Sequence, residues 1–215
     1  MVGIREYYES GAAGGEEGEE REERLTIVRE WSSGVRGDVV DIGCSDGRLA
    51  AELRGPDRRV IGVDLNSVQV EKAAKVLDGV RSFDITAEWP FADGSIAAVH
   101  MGAVIEHVFD FREMFAQTAR VLAPGGKLWI SVPNMACLRH RVEVLTGRMP
   151  GWYRNYEHIR PWTVDWLDTQ LAPLQLHRTR LAGAHIRSTA LHRAISRYLP
   201  KLSSIFVTEH RKSGS

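Results

Sequence analysis

Nine residues, Val39–Val40–Asp41–Ile42–Gly43–Cys44–Ser45–Asp46–Gly47, constrain this chain more than any other stretch. A short apolar run ends on a glycine turn, the pattern of a buried strand handing over to a helix. Glycine at such a turn lets backbone N–H groups come close to a ligand. A bare glycine turn at a helix start favours an anion, but Asp41 opposes one. A carboxylate at the strand tip repels a diphosphate and attracts an ammonium or sulfonium group. The spacing agrees: a G-x-G-x-x-G fingerprint from Gly43 needs glycines at 45 and 48, where Ser45 and Arg48 stand. An ordinary strand–helix turn would look the same locally, so the other strand ends must decide.

From residue 37 onward, strand and helix patterns alternate. Val39–Ile42, Arg59–Val63, Val80–Phe83, Ile96–Met101 and Lys127–Val132 read as strands. Gly47–Leu53, a helix capped by Ser67 and running to Leu77, and Phe111–Leu122 read as the intervening helices. This order predicts a doubly wound α/β fold whose ligand lies at the carboxyl ends of the strands. Asp64, 21 residues after Gly43, ends the second strand. It can accept bonds from both hydroxyls of a ribose, each worth roughly 1.5–3 kcal/mol, or merely complement a helix dipole. Asp84 follows the third strand and can accept from an adenine amino group, with Phe83 and Ile85 offering apolar surface to the ring. Carboxylates on three successive tips favour a cationic sulfur nucleoside, S-adenosylmethionine. The expected contacts are Asp41, Gly43, Cys44, Ser45, Gly47, Asp64, Leu65, Asp84, Ile85, Gly102 and Ala103.

Charge narrows the partners. Twenty-eight basic and 28 acidic residues cancel, which argues against nucleic acid or an anionic membrane surface. No apolar run reaches the ~20 residues needed to span a bilayer, and Met1–Glu6 lacks a signal peptide's apolar core. Cys44 and Cys137 are the only cysteines, and Cys44 sits in the turn, so a reducing, cytoplasmic setting is expected. Residues 11–24, rich in glycine and glutamate, predict a solvated loop entering a charged helix face. Arg24–Trp31 predicts a helix with Leu25, Val28 and Trp31 inward. Tyr7 and Tyr8 lie ahead of it, as core anchors or as a cover over a ligand.

Asp41, Gly43 and Gly47 match the acidic-x-Gly-x-Gly-x-Gly motif of class I S-adenosylmethionine-dependent methyltransferases, with Ser45 in place of the middle glycine. Trp89–Ser95 resembles that superfamily's "lPf-dgs" connection, Val104–Asp110 its "lEHv-d" segment and Arg120–Leu128 its "r-LkPGG-l" turn. The resemblance implies a Rossmann-like, doubly wound seven-stranded sheet, mostly parallel with the last strand antiparallel. It also implies a division into an N-terminal arm and helix (1–36), a cofactor-binding core (37–134), an acceptor-side cap (135–172) and C-terminal strands and helix completing the sheet (173–215). Pro133–Asn134, Arg139, Arg141 and Leu145–Pro150 resemble the MetW-like group, and His158–Thr163 the "H-R-f-T" segment of type-11 methyltransferases. By that resemblance Thr163 caps a helix over Val164–Leu171. The function implied is methylation of a small molecule, a sugar or glycan-precursor hydroxyl or a carboxylate. The alternative is a MetW-like accessory role supporting homoserine acylation.

Methyl transfer from a sulfonium needs alignment above all, with a base near the acceptor as an aid. His107 is the candidate base, since its ordinary pKa of about 6.5 suits that task; the competing reading packs it under the cofactor loop. Tyr8, His158 and Arg160 are the candidate acceptor contacts, within a cap segment that mixes cations and aromatics. Glu106 and His107 resemble the metal-binding pair of some quinone-biosynthesis O-methyltransferases, but Ala103 replaces a further carboxylate. Two ligands hold a cation weakly, so no metal is expected. Trp162 and Trp166, four apart, are both expected in the core; the sequence leaves the oligomeric state open, a homodimer among the options.

Overall fold

The computed structural model describes residues 18–154, 157–184 and 189–214. Its centre is one seven-stranded sheet in the order β3-β2-β1-β4-β5-β7-β6. The strands are β1 (Gly37–Ile42), β2 (Arg58–Val63), β3 (Gly79–Arg81), β4 (Ile96–Gly102), β5 (Leu122–Pro133), β6 (Leu176–Ala184) and β7 (Ile205–Lys212). β1 to β5 pair in parallel, and β7 inserts antiparallel between β5 and β6. The seven-stranded Rossmann-like expectation therefore holds, with the last strand reversed. Among the described residues no helix is long and apolar enough to cross a membrane.

The strands are buried on both faces, which is why they read as continuous apolar runs. Alternate residues part to opposite sides. Val40, Ile42, Val99, Met101, Leu128 and Ile130 join one core cluster, while Val39, Ala98, Trp129 and Val207 join the other. The first cluster is covered by α3 (Phe111–Val121), through Phe111, Met114 and Phe115, and by α5 (Val164–Leu171), through Val164, Leu167 and Leu171. The second is covered by α1 (Gly18–Trp31), through Leu25 and Val28, and by the end of α2 (Ser67–Ala73). α4 (Leu138–Leu145) and α6 (Ala190–Tyr198) complete the helices.

Two of the motif segments lock each other in place. Arg120 on α3 donates to the carbonyls of Trp89 (2.8 Å) and Phe91 (2.9 Å) and to Asp93 (2.6 Å). One guanidinium thus satisfies a whole irregular connection, because its fork presents several donors in a fixed geometry. Asn134 acts likewise after β5: its amide donates to the carbonyls of Lys201 and Ser203 and accepts from Ala136 N. It therefore fastens β5 to the chain that enters β7.

Several boundaries differ from expectation, each for a local reason. The helix expected over Gly47–Leu53 is a series of turns with a 3-10 segment at Ala50–Leu53. Gly47 sits at φ +76, outside the right-handed helical region. α2 ends at Ala73, after which Lys75 and Val76 bond three residues back in a tightened last turn. Its cap is Asn66, which accepts from Gln69 N, rather than Ser67. α1 begins at Gly18, so the end of the charged stretch is helical; residues 11–17 lie outside the described part. β5 starts at Leu122, with the Pro124–Gly126 turn absorbed as a register shift. Trp162 is fully buried but Trp166 is 43% exposed. Trp162 precedes α5, so helical spacing does not relate the two. Trp166 falls off the Val164, Leu167, Leu171 stripe. Thr163 caps α5 as expected, accepting from Trp166 N at 3.2 Å.

Glu209 on β7 is the buried carboxylate that the sheet satisfies most fully. It accepts from Trp129 Nε1 (3.0 Å) and Thr179 Oγ1 (2.9 Å) and pairs with Lys127 (3.1 Å). Burial pushes its pKa up, but these bonds outweigh that and hold it below the usual carboxylate range. A depressed folded pKa stabilises the fold above the ordinary value and loses that contribution as pH falls through the folded one. Glu209→Gln is therefore expected to lower stability in urea unfolding at pH 7 by about 1–3 kcal/mol. The deficit should shrink as the acidity approaches the wild-type residue's own titration.

Candidate functional site

Sheet register builds the site. Ile42 pairs with Val63 on one side and Met101 on the other, so Gly43, Asp64 and Gly102 stand in one row at the carboxyl ends. Gly102 in turn pairs with Ser131 on β5. The strand order reverses between β1 and β4, which opens a crevice there.

Asp64 organises this edge. Its Oδ2 accepts from Ser45 N at 2.8 Å and its Oδ1 from Asn66 N at 2.9 Å. A carboxylate has about four lone-pair sites, so roughly one per oxygen remains for a ligand's hydroxyls. The turn's own amides are mostly spent inward. Gly43 N and Cys44 N both donate to Val63 O, and Gly47 N to Cys44 O. The expectation that this turn presents its N–H groups to a ligand is thereby corrected for these residues. The turn is no anion cradle, which agrees with the carboxylates around it. Ser45 (φ 50) and Ala103 (φ 55) hold left-handed backbone on the two facing loops, a conformation costly for residues with a Cβ.

Below the turn, a small cavity of about 40 Å³ is lined by Arg24, Asp41, Gly43, Cys44, His100, Gly102 and Ser131, among others. Asp41 lies 2.6 Å from His100 Nδ1, and both are largely buried. The Ser131 hydroxyl is buried with no hydrogen-bond partner among the described residues. Burial drives the Cys44 thiol far up, and Asp41, Asp64 and Asp46 add to the effect, so Cys44 is an inert thiol in a negative field. Arg24, from α1, reaches the cavity from the second core; burial lowers its pKa to about 10 while Glu106 opposes the shift. Arg24, His100 and Ser131 escaped the sequence reading. Arg24 looks like one more charge in a charged run, and only its neighbours Leu25 and Val28 mark its face as inward.

Leu65 and Ile85 are half-buried and Asp84 is exposed. Asp84 Oδ1 accepts from Thr86 N and Oγ1 in a local turn. Phe83 packs against Trp89 and Phe91 at centroid distances of 5.9 and 6.0 Å.

The loop after β4 forms a 3-10 turn, Ile105–His107, which meets the chain at 157–160. Ile159 N and Arg160 N both donate to the Glu106 carbonyl, at 3.0 and 3.1 Å. Trp162 Nε1 donates to Ile105 O at 3.1 Å. These bonds stack His158 near His107, with ring centroids 5.2 Å apart, and near Trp152 at 5.5 Å. His107 Nδ1 lies 3.0 Å from the Glu157 carbonyl. Burial lowers the His107 pKa, and it lowers that of His158 to about 4 with help from His107, so both rings are neutral at pH 7. Glu106 is fully buried and its pKa is raised to about 7 by burial, against the opposing effects of its own backbone amide and then of Arg24. Arg160 stacks on Phe111 (4.7 Å) and Phe109 (5.6 Å) and donates to Phe109 O. Tyr8, like Tyr7, lies outside the described residues. The sequence places only Glu106 and His107 together as metal donors; the fold brings a third, His158, beside them.

Residues 19–176 match the family described as "Methyltransferase domain". An uncharacterized methyltransferase of Mycobacterium bovis is 30% identical over 161 residues, 69% of this chain and 80% of that protein. A malonyl-[acyl-carrier protein] O-methyltransferase of Hahella chejuensis is 30% identical over 52% of this chain. The match covers 42% of that relative's length, and 30% and 38% of two others. Among solved structures, magnesium protoporphyrin IX methyltransferase of Synechocystis, described with bound SAH, superposes with a TM-score of 0.70 at 15% identity over 98% of both chains. That likeness is one of fold.

The turn's geometry yields a direct test. A Cβ on Gly43 would lie 2.7 Å from Val104 Cγ2 at φ +71, whereas one on Gly94, at φ +65, meets nothing within 4 Å. Gly94→Ala should cost about 1–2 kcal/mol for left-handed backbone alone. Gly43→Ala should exceed it in thermal unfolding, by roughly 1 kcal/mol or more for the forced shift of the 103–104 loop.

Proposed function

We propose that this chain, which belongs to the S-adenosylmethionine-dependent methyltransferase family, methylates an oxygen of a small-molecule acceptor. The observation that carries the reading is the Asp64 carboxylate, fixed at the crevice by two backbone bonds with lone pairs to spare. The pocket's chemistry fits the cofactor. Asp41, Asp46 and Asp64 make its field negative, suited to a sulfonium and an α-ammonium group. Ser131 offers a buried hydroxyl without a partner among the described residues, and Arg24 a cation for a carboxylate. When bound, the cofactor supplies an electrophilic methyl group on a positively charged sulfur.

The protein's share is placement. In this reading Asp64 holds the ribose hydroxyls, and Leu65, Phe83, Ile85 and Asp84 surround the base. Asp41, Gly43, Cys44, Ser45, Gly47, Gly102 and Ala103 shape the turn and the facing loop. Holding two reactants in line replaces an encounter with an intramolecular step, which alone lowers a barrier by several kcal/mol. The acceptor enters between the 105–109 turn and the 134–160 cap, where His107, His158 and Arg160 stand. Two features favour oxygen: the neutral imidazole lone pairs there, and the O-methyltransferase named among the relatives. A sugar or glycan-precursor hydroxyl, or a carboxylate, fits this cap of cations and aromatics.

Asp64→Ala is expected to weaken S-adenosylmethionine binding by about 2 kcal/mol, near 30-fold, in calorimetry. Unchanged affinity would remove Asp64 from the site and the reading with it. Release of S-adenosylhomocysteine during a screen of hydroxyl and carboxyl acceptors then tests turnover. Tight cofactor binding with no turnover, plus capture of an acyltransferase, would favour the MetW-like accessory role instead.

A further inference from the structure

We infer that Glu106, His107 and His158 form a binding site for one divalent transition-metal cation of the zinc or manganese class. One donor atom from each lies within 4.8 Å of the others. A cation bound 2.0–2.2 Å from each ligand needs donors roughly 3–4 Å apart, so side-chain movements of under about 1 Å close the set. The backbone already clamps the two contributing segments together, because Ile159 N and Arg160 N both bond to the Glu106 carbonyl.

The Glu106 side chain supplies an independent reason. It is fully buried, and neither carboxylate oxygen has a hydrogen-bond partner in any other described residue; only its own backbone amide acts on it locally. Buried carboxylates are paired, hydrogen-bonded or bound to metal. Arg24 acts on Glu106 only through space, with no hydrogen bond to it. His107 Nε2 lies 3.9 Å from Glu106 Oε1.

His107 is set up as a ligand by its other nitrogen. With Nδ1 3.0 Å from the Glu157 carbonyl, the ring proton belongs on Nδ1. The Nε2 lone pair is thereby left open toward Glu106. A backbone carbonyl fixing the tautomer of a ligating imidazole is the usual outer-shell arrangement. Two imidazoles and one carboxylate suit zinc, manganese, cobalt or iron, and leave coordination positions open. Magnesium and calcium prefer oxygen throughout. Resting on the methyl-transfer reading, an open position is available to the acceptor's oxygen, whose proton a Lewis acid makes easier to lose. His107 then acts as ligand in place of base.

The test uses the full chain stripped with a chelator and titrated separately with Zn2+, Co2+, Mn2+ and Mg2+ in calorimetry. One Zn2+ or Co2+ per chain is expected, with Mg2+ far weaker. Glu106→Gln and His158→Ala should each weaken Zn2+ at least about tenfold, on the scale of losing one ligand. His177→Ala, remote from the cluster, should leave it unchanged. S-adenosylhomocysteine binding, measured on every sample, shows that each variant is folded and keeps the cofactor reading separate. Anomalous scattering from a zinc-loaded crystal locates the ion without any substitution. No heat with any of the four ions, equal affinity in the Glu106→Gln and His158→Ala proteins, or a peak away from these three residues would overturn the site.

Discussion

One carboxylate ties the ligand-facing edge together. Asp64, at the tip of β2, accepts the amide of Ser45 in the neighbouring turn and the amide of Asn66 at the start of the next helix. Charge-assisted bonds of this kind are stronger than neutral ones. They let the turn after β1 close sideways onto β2 instead of opening as an anion cradle. The left-handed residues Ser45 and Gly47, costly or glycine-dependent by themselves, persist because this closure over-determines them. The same bonds leave lone pairs facing the crevice. In the proposed reading, structural anchor and ligand contact are one group.

The other face of the crevice follows a different rule, in which buried charge is left incompletely satisfied. Glu209 shows what the fold does with a purely structural carboxylate: it supplies Trp129, Thr179, Lys127 and Arg180 as partners and keeps it ionised. Glu106 is buried as deeply yet receives no hydrogen bond from any other residue among those described. Unsatisfied polar atoms at such depth are uncommon in native structures and cluster where chemistry occurs. Their position in the short turn just beyond Val104, which packs against the turn at Gly43, places the two unlike environments side by side.

The sheet was legible because parallel strands buried on both faces carry unmistakable apolar runs, and because β1, β2 and β4 end on or just before a glycine or a carboxylate. Less legible were the helices. Asn66, rather than Ser67, caps α2, since either side chain can cap and only the backbone decides which one does. Gly47–Leu53 has helical composition but starts from a left-handed residue. Trp166 shares apparent periodicity with Trp162, yet the helix begins between them and turns it outward. Asn134 carries part of a motif resemblance, but its amide is consumed in joining β5 to the approach to β7.

What the chain's order of residues determined by itself is the alternation of strands and helices and the carboxylate, Asp64, at the tip of β2. Both follow from local patterns, spacing and turn chemistry, which need no knowledge of distant partners. Tertiary structure alone decided that Arg24 enters the cavity, that Asp41 pairs with His100, and that His158 stands beside Glu106 and His107. These pairs lie 50 or more residues apart or on separate layers. Their meeting depends on sheet register and on how one helix and one cap loop fold over the same edge.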